Sequence, residues 1–445
     1  MGQGIVEVDA VPVAVSELSR GHRAGLLTAL GSPIFTHRHP PYRHCMRTSS
    51  HSHRDRFSFV MEQTLGHVAH SRNLERAVAR RPDLDASVIR LDYEPSNPLL
   101  TLPVVRNWSL RASLAARSAL RRTLSRDPVD AVFIHTQVSA LLARAVMRAI
   151  PTVVSVDATP RNFDDEGAAY GHRRQGELAE RLKLAVNRRA LREAGAVVAW
   201  NRWARDSLVA DYGVPADRVS VIPPGVDVAR FRPGEPRPAG SPVRVLFVGG
   251  DFERKGGHDL LEAVRGLDAE VEVDMVTGRA PAVARAEPWV RVWEGLTPQS
   301  PQLVDLYGQA DVFVLPTRGD CLAQVVAEAM ASGLPVVTTR VGAMSEMVQH
   351  GVTGHLVPPR SPRALREALA ALIADPAGRR AMGAAGLEAA RRDHDAERNW
   401  DRIFGLMQEL ARTAGTRDAA ADPPLVRELS SRPARTWAEV PGHSR

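Results

Sequence analysis

The chain has 445 residues, 44% of them apolar, and a formal net charge of +7. That length suggests two or three domains with ordinary globular cores. No apolar run reaches the ~18–20 residues of a membrane span, two cysteines (Cys45 and Cys321) are too few for a disulfide framework, and no zinc-finger or aromatic RNA-binding pattern occurs. The opening stretch, MGQGIVEVDAVPVAV, lacks the basic-then-apolar order of a secretory signal. A cytoplasmic protein that binds no nucleic acid is therefore expected. Among 58 basic residues only Lys183 and Lys255 are lysines. The moderate basicity suits either a solvated basic surface or an anionic partner.

Residues 1–55 include a stretch rich in His, Arg, Ser and Pro without apolar periodicity, and read as a flexible arm. Its histidines, His37, His39, His44, His51 and His53, match no defined metal-site spacing. From Phe57 the texture changes. FSFVME (57–62), SVIRLDY (87–93), AVFIHT (131–136), TVVSVDAT (152–159) and AVVAWN (196–201) are strand-like, with helical stretches at 107–125 and 173–194 between them. Short apolar strands alternating with amphipathic helices indicate a parallel sheet wrapped in helices. One doubly wound domain is expected over 56–217, followed by a Pro/Gly-rich linker over 218–242.

The alternation then restarts. VRVLFVGG (243–250), EVEVDMVTG (270–278), VRVWEGL (290–296), DVFVLPT (311–317), LPVVTTR (334–340) and GHLVPP (354–359) read as strands. Helices are expected at 257–266, 301–309, 323–332 and 362–373, giving a second α/β domain over 243–390. An Arg/Ala-rich helical region spans about 376–412. Its part from 391 to 414 reads as a helix crossing back to the first domain, with peripheral contact to anionic membrane as the other reading. Residues 415–445 read as a frayed tail. In such folds a ligand belongs at the carboxyl ends of the strands, where the loops open.

Two segments carry chemistry. In FVGGDFERKGG (247–257) a strand runs into Gly249 and Gly250, and Arg254 and Lys255 precede a helix start. Glycines admit a ligand to the backbone, helix-start N–H groups favour anions, and the cations suit a diphosphate. A plain surface turn is the alternative. In 310–359 a strand ends at Pro316, a loop carries Asp320, and Glu328 falls on the second turn of the next helix. The pair suits recognition of hydroxyl pairs; a capping acid plus a solvated helix acid fits the spacing equally.

The segments 221–233 (VIPPGVDVARFRP), 247–257, and Asp320 followed after seven residues by Glu328 and AMASGLPVV (329–337) occur in that order. On these motifs the chain resembles the retaining glycosyltransferases of family 4, which have the GT-B fold: two Rossmann-like doubly wound α/β domains facing across a cleft. The likeness is strong over 218–360 and weak over 57–217. It implies transfer of a sugar from a UDP-, GDP- or ADP-sugar to a glycan, lipid or small-molecule hydroxyl, with retention and without a required metal or cofactor. It implies that Glu328 holds the donor ribose, Asp320 the transferred sugar, and Arg254 and Lys255 the diphosphate, with Leu322, Ala323 and Gln324 beside the donor. Two departures stand out: Asp320 replaces the usual Glu, and Gly250 stands where the family often has Arg. On the acceptor side, the resemblance and the strand ends point to Gly66 and His67 in the TLGH loop, Asp157 and His172, and the resemblance implies His135 as a catalytic residue near the transferred sugar. A hydrogen-bonded strand-end histidine and a loop-capping acid are the alternatives for His135 and Asp157. A non-catalytic nucleotide-binding or scaffold protein, or another GT-B enzyme such as a sugar-nucleotide epimerase, are the rival functions.

Overall fold

The computed structural model describes residues 54–63, 66–91, 108–171, 176–238 and 240–418. The expectations for the N-terminal arm up to residue 53, for the tail beyond 418, and for His172 lie outside the described residues. Two six-stranded sheets organise the chain, every neighbouring pair parallel. The first comprises β1 (Asp55–Glu62), β2 (Leu84–Leu91), β3 (Ala131–His135), β4 (Thr152–Val156), β5 (Ala196–Ala199) and β6 (Val219–Val221), in the order β2-β1-β3-β4-β5-β6. The second comprises β7 (Val243–Val248), β8 (Val271–Val276), β9 (Val290–Trp293), β10 (Val312–Leu315), β11 (Val336–Thr339) and β12 (Gly354–Val357), in the order β12-β11-β10-β7-β8-β9.

Parallel strands need helical crossovers, and those helices cover both faces of each sheet. This explains the near-continuous apolar runs. In β1, Phe57, Phe59 and Met61 face one core with Phe133 and Val153, while Val60 faces another with Ile134 and Val154. The strand order reverses between β1 and β3 in the first sheet and between β7 and β10 in the second. Ligands of doubly wound sheets bind outside the carboxyl ends of strands at such a switch point.

Three boundaries differ from the sequence reading. Asp55, placed in the arm, starts β1, where its carboxylate accepts from Gln408 at 2.7 Å. Val219–Val221, placed in the linker, is an edge strand of the first sheet, registered on Val197–Ala199. The crossing helix starts at Ala396 and runs to Asp418, not from 391 to 414, because the preceding helix continues to Asp393. The break between them has a cause. Val226 N–H donates to His394 O at 2.7 Å and Ala396 N–H to Val226 O at 3.0 Å, a strand-like bridge that interrupts helical bonding. Asp395 then caps the new helix by accepting from the N–H groups of Glu397 and Arg398. Gly225 is needed beside it: a Cβ there would lie 2.1 Å from Ala396 Cα. The helix Ala396–Asp418 buries Trp400, Ile403, Phe404 and Met407 against Phe59 and Phe133. Its apolar face is thus occupied by the first sheet. No helix among the described residues is long and apolar enough to cross a membrane.

Candidate active site

Beyond β7 the chain passes through Gly249 and Gly250 and turns back on itself. Lys255 N–H donates to Asp251 O at 2.9 Å, and Asp251 Oδ1 accepts from Arg254 N–H at 3.1 Å. Gly256 then opens the helix Gly257–Arg265 with φ of 79°, a left-handed conformation that favours glycine. A side chain there would also strike Pro316 O, 2.0 Å from the Cβ position. This places the loop after β7 directly against the loop after β10. Gly249 leaves the space that the Lys255 stem fills, since a Cβ on it would lie 2.7 Å from Lys255 Cβ. Nothing lies within 4 Å of the Cβ position of Gly250.

The two loops share their charges. Lys255 Nζ donates to Asp320 Oδ2, with side chains only 13% and 10% exposed. Arg254 donates to Gly319 O at 3.0 Å and pairs with Asp251, and its guanidinium lies 4.6 Å from the centre of the Tyr170 ring. Arg318 grips Asp259 through two nitrogens, at 2.7 and 3.2 Å. Leu322 and Ala323 are buried just before the helix Gln324–Ala331, and the Gln324 side chain donates to Gly66 O at 2.8 Å. Gln324 and Gly66 thereby tie the two halves together.

Glu328 is not joined to this group by any hydrogen bond. It is 5% exposed and accepts the Tyr307 hydroxyl at 2.9 Å. Burial pushes its carboxyl up to about 7, against the Tyr307 hydrogen bond, which favours the anion.

On the first half, His67 starts the helix His67–Ala79, immediately after the β1 loop. Its ring sits between two carboxylates, Nδ1 3.5 Å from Glu62 Oε1 and Nε2 3.6 Å from Asp157 Oδ2. Burial opposes its charge, but Asp157 and Glu62 together outweigh it and push the imidazole up to about 10. It is an imidazolium at neutral pH. Thr136 donates to Glu62 at 3.0 Å and Ala158 N–H to Asp157 at 2.8 Å, so both acids are fixed.

His135 requires a correction. It was expected near the transferred sugar, yet its ring is 0% exposed, stacked on Trp200 at 5.2 Å with the edge of His67 at 4.6 Å. Burial, with the His67 and His70 charges, holds it far below the usual imidazole range. The cause is its strand: β3 is central and covered on both faces, so even its last residue is enclosed. His67, unlike His135, meets the carboxylates of Glu62 and Asp157. Among the described residues, no group of three or more His, Cys, Asp or Glu is arranged to hold a metal ion.

Several participants had no sequence signal. Tyr170 and Glu166 come from the first half; Tyr170 meets Arg254 through an aromatic contact, and Glu166 accepts the Gly342 N–H of the loop after β11. Glu346 of the second half accepts the N–H groups of Arg202 and Trp203 at 2.7 and 2.8 Å, across the cleft. Neither spacing nor periodicity marks residues whose role depends on the opposite domain.

Two parallel doubly wound halves, with facing switch points that carry glycine, cation and carboxylate loops, define the GT-B class of glycosyltransferase folds. Comparison with solved structures agrees. Sucrose-phosphate synthase of Thermosynechococcus elongatus superposes with a TM-score of 0.67 at 19% identity, over 81% of this chain and 100% of that one. The Anabaena protein HepE, solved with UDP and glucose, superposes with a TM-score of 0.56 at 17% identity, over 80% and 100%. Residues 242–375 match the model described as glycosyl transferases group 1, and residues 66–230 that described as glycosyltransferase family 4. A D-inositol 3-phosphate glycosyltransferase of Catenulispora acidiphila is 30% identical over 65% of this chain and 74% of its own length. Its counterpart in Xylanimonas cellulosilytica is 34% identical over 51% and 58%. The chain thus spans between about half and three quarters of the length of these relatives. It belongs to glycosyltransferase family 4.

Proposed function

We propose that the chain transfers a glycosyl group from a nucleotide-diphosphate sugar to an acceptor hydroxyl, with the anomeric configuration retained. The observation that carries this reading is the meeting of Lys255 with Asp320 at the switch point of the second sheet. It supports a cation suited to a diphosphate beside an acid suited to sugar hydroxyls. The backbone at Gly250 has open space around it.

In this reading the site holds its charges against one another. Arriving donor phosphates replace Asp320 and Asp251 as partners of Lys255 and Arg254, and Asp320 turns to the sugar. The bond from anomeric carbon to diphosphate oxygen breaks as the acceptor oxygen bonds to the same face, and the hydroxyl proton passes to the leaving phosphate. Charge builds on that phosphate, where fixed cations stabilise the transition state. Glu328 holds the ribose hydroxyls once it exchanges Tyr307 for them. On the facing wall, the Glu62–His67–Asp157 group presents the Asp157 carboxylate to the acceptor. No metal or cofactor is assigned a part.

The family relatives named above act on an inositol phosphate by their names, which supports a phosphorylated cyclitol as the first acceptor to try. UDP bound in HepE supports UDP as the first nucleotide. A cytoplasmic setting suits such donors. Peripheral membrane contact by the 376–412 region has less support, because the apolar face of its helix from Ala396 packs on the first sheet and Ala390 of the preceding helix packs in the second half.

The test is release of nucleoside diphosphate from UDP-, GDP- or ADP-glucose in the presence of inositol 3-phosphate. Lys255→Ala and Glu328→Ala should each lower turnover by about 100-fold or more, with the far-UV spectrum unchanged. Wild-type rates in both variants refute the site. Nucleotide binding by the wild type without turnover on any acceptor favours the non-catalytic reading.

A further inference from the structure

The helix Pro160–Glu166 follows β4 and is firmly set. Thr159 Oγ accepts from Asn162 N–H at 3.1 Å, the Asn162 side chain accepts from Thr159 N–H at 3.1 Å, and Arg161 N–H donates to the Tyr212 hydroxyl at 3.1 Å. Its last residue, Glu166, reaches into the other half. Gly342 N–H donates to Glu166 Oε1 at 3.0 Å. A Cβ placed on Gly319 would lie 3.5 Å from Glu166 Oε2 and 2.3 Å from Ala169 Cβ.

Gly319 and Gly342 are the two backbone points that flank Asp320. Gly319 precedes it in the chain, and a Cβ on Gly342 would lie 2.1 Å from Asp320 O. The Glu166 carboxylate therefore sits close to the Asp320 backbone, and burial, with the Asp320 charge, pushes its pKa up against the Gly342 N–H bond. Asp320 is one methylene shorter than the Glu that the family usually has there, and its carboxylate is drawn toward Lys255. Glu166 is thus a second carboxylate at these strand ends, held against the two glycines on either side of Asp320.

We propose that Glu166, delivered by the acceptor half, is a specificity-determining contact that accepts a hydrogen bond from a hydroxyl of the transferred sugar. The inference rests on the donor reading above. The Gly342 N–H donates to Glu166 Oε1, leaving Oε2 for a sugar hydroxyl. A charge-assisted hydrogen bond of this kind corresponds to about ten- to hundredfold in affinity.

Calorimetric titration with UDP-glucose and with UDP alone separates the possibilities. In Glu166→Ala the Kd for UDP-glucose should rise about ten- to hundredfold while that for UDP stays within about twofold. Glu166→Gln should show the same pattern in weaker form, because its amide oxygen still accepts. Lengthening the neighbour, in the double variant Glu166→Ala with Asp320→Glu, should restore UDP-glucose affinity at least in part. Equal weakening of UDP and UDP-glucose overturns the proposal, since the residue then acts on domain closure and not on the sugar. Unchanged UDP-glucose affinity in Glu166→Ala overturns it as well. Absence of UDP and UDP-glucose binding in the wild type sinks the UDP-sugar reading itself, an outcome that the variants do not produce.

Discussion

Replacing Lys255 by Met removes one charge of a pair whose side chains are 13% and 10% exposed. Methionine keeps most of the stem that packs across Gly249, so the change is mainly electrostatic. Asp320 is left enclosed between Gly342 and the loop before the helix Gln324–Ala331, without its cation. Breaking a buried pair by removing one partner costs about 3–5 kcal/mol, because the remaining charge has neither water nor a counter-ion. For a domain of this size each kcal/mol moves the midpoint by about 2–4 °C, so the second half should melt at least about 6 °C lower. Asp320→Asn alone should cost less, since the lysine stem can carry its ammonium to water. The double variant should recover part of the loss, giving a coupling of about 1–3 kcal/mol in a double-mutant cycle. Differential scanning calorimetry of the wild type and three variants measures all of this. A Lys255→Met protein that melts within 2 °C of the wild type (about half a kcal/mol to one), or variants whose effects simply add, would refute the buried-pair reasoning.

Further outcomes follow from the same structure. Burial raises the Glu328 carboxyl from 4.5 to about 7, so the folded state holds a proton that the unfolded state loses over that range. Stability should therefore fall as pH rises from about 4.5 to 7, and Glu328→Gln should be the more stable protein at pH 8, by up to about 3 kcal/mol. Melting curves that run parallel for the two proteins across that range contradict it. The raised His67 value, about 10, means that its stabilising charge is fully present below about 6.5 and lost as pH rises toward 10. Its ring proton resonances should be flat between pH 6 and 8, and those of His70, held near 3 by burial and the His67 charge, should be flat as the neutral form. Trp400→Ala should destabilise the first half by about 3–5 kcal/mol, through the cavity left against Phe59 and Phe133. Chemical denaturation checks this, and a loss below 1 kcal/mol would show that the helix is not docked as described.

The alternation of apolar runs with helical stretches was enough to read two parallel sheets, because strands covered on both faces are apolar throughout. FVGGDFERKGG and the Asp320–Glu328 spacing were legible for a related reason: each is a local device at one strand end, complete within about ten residues. Other features were set by distance in space. His135 reads like a strand-end histidine open to a ligand, but the packing of Trp200 and His67 encloses it. The Asp393–Ala396 break lies inside one continuous helical pattern, and only the bridge to Val226 ends the first helix there. Glu166, Tyr170 and Glu346 carry no motif, since each acquires its partner from the opposite domain. Local sequence determined the elements and the strand-end loops; which side chains meet across the cleft depended on how two separately folded sheets come together, and no periodicity along the chain encodes that.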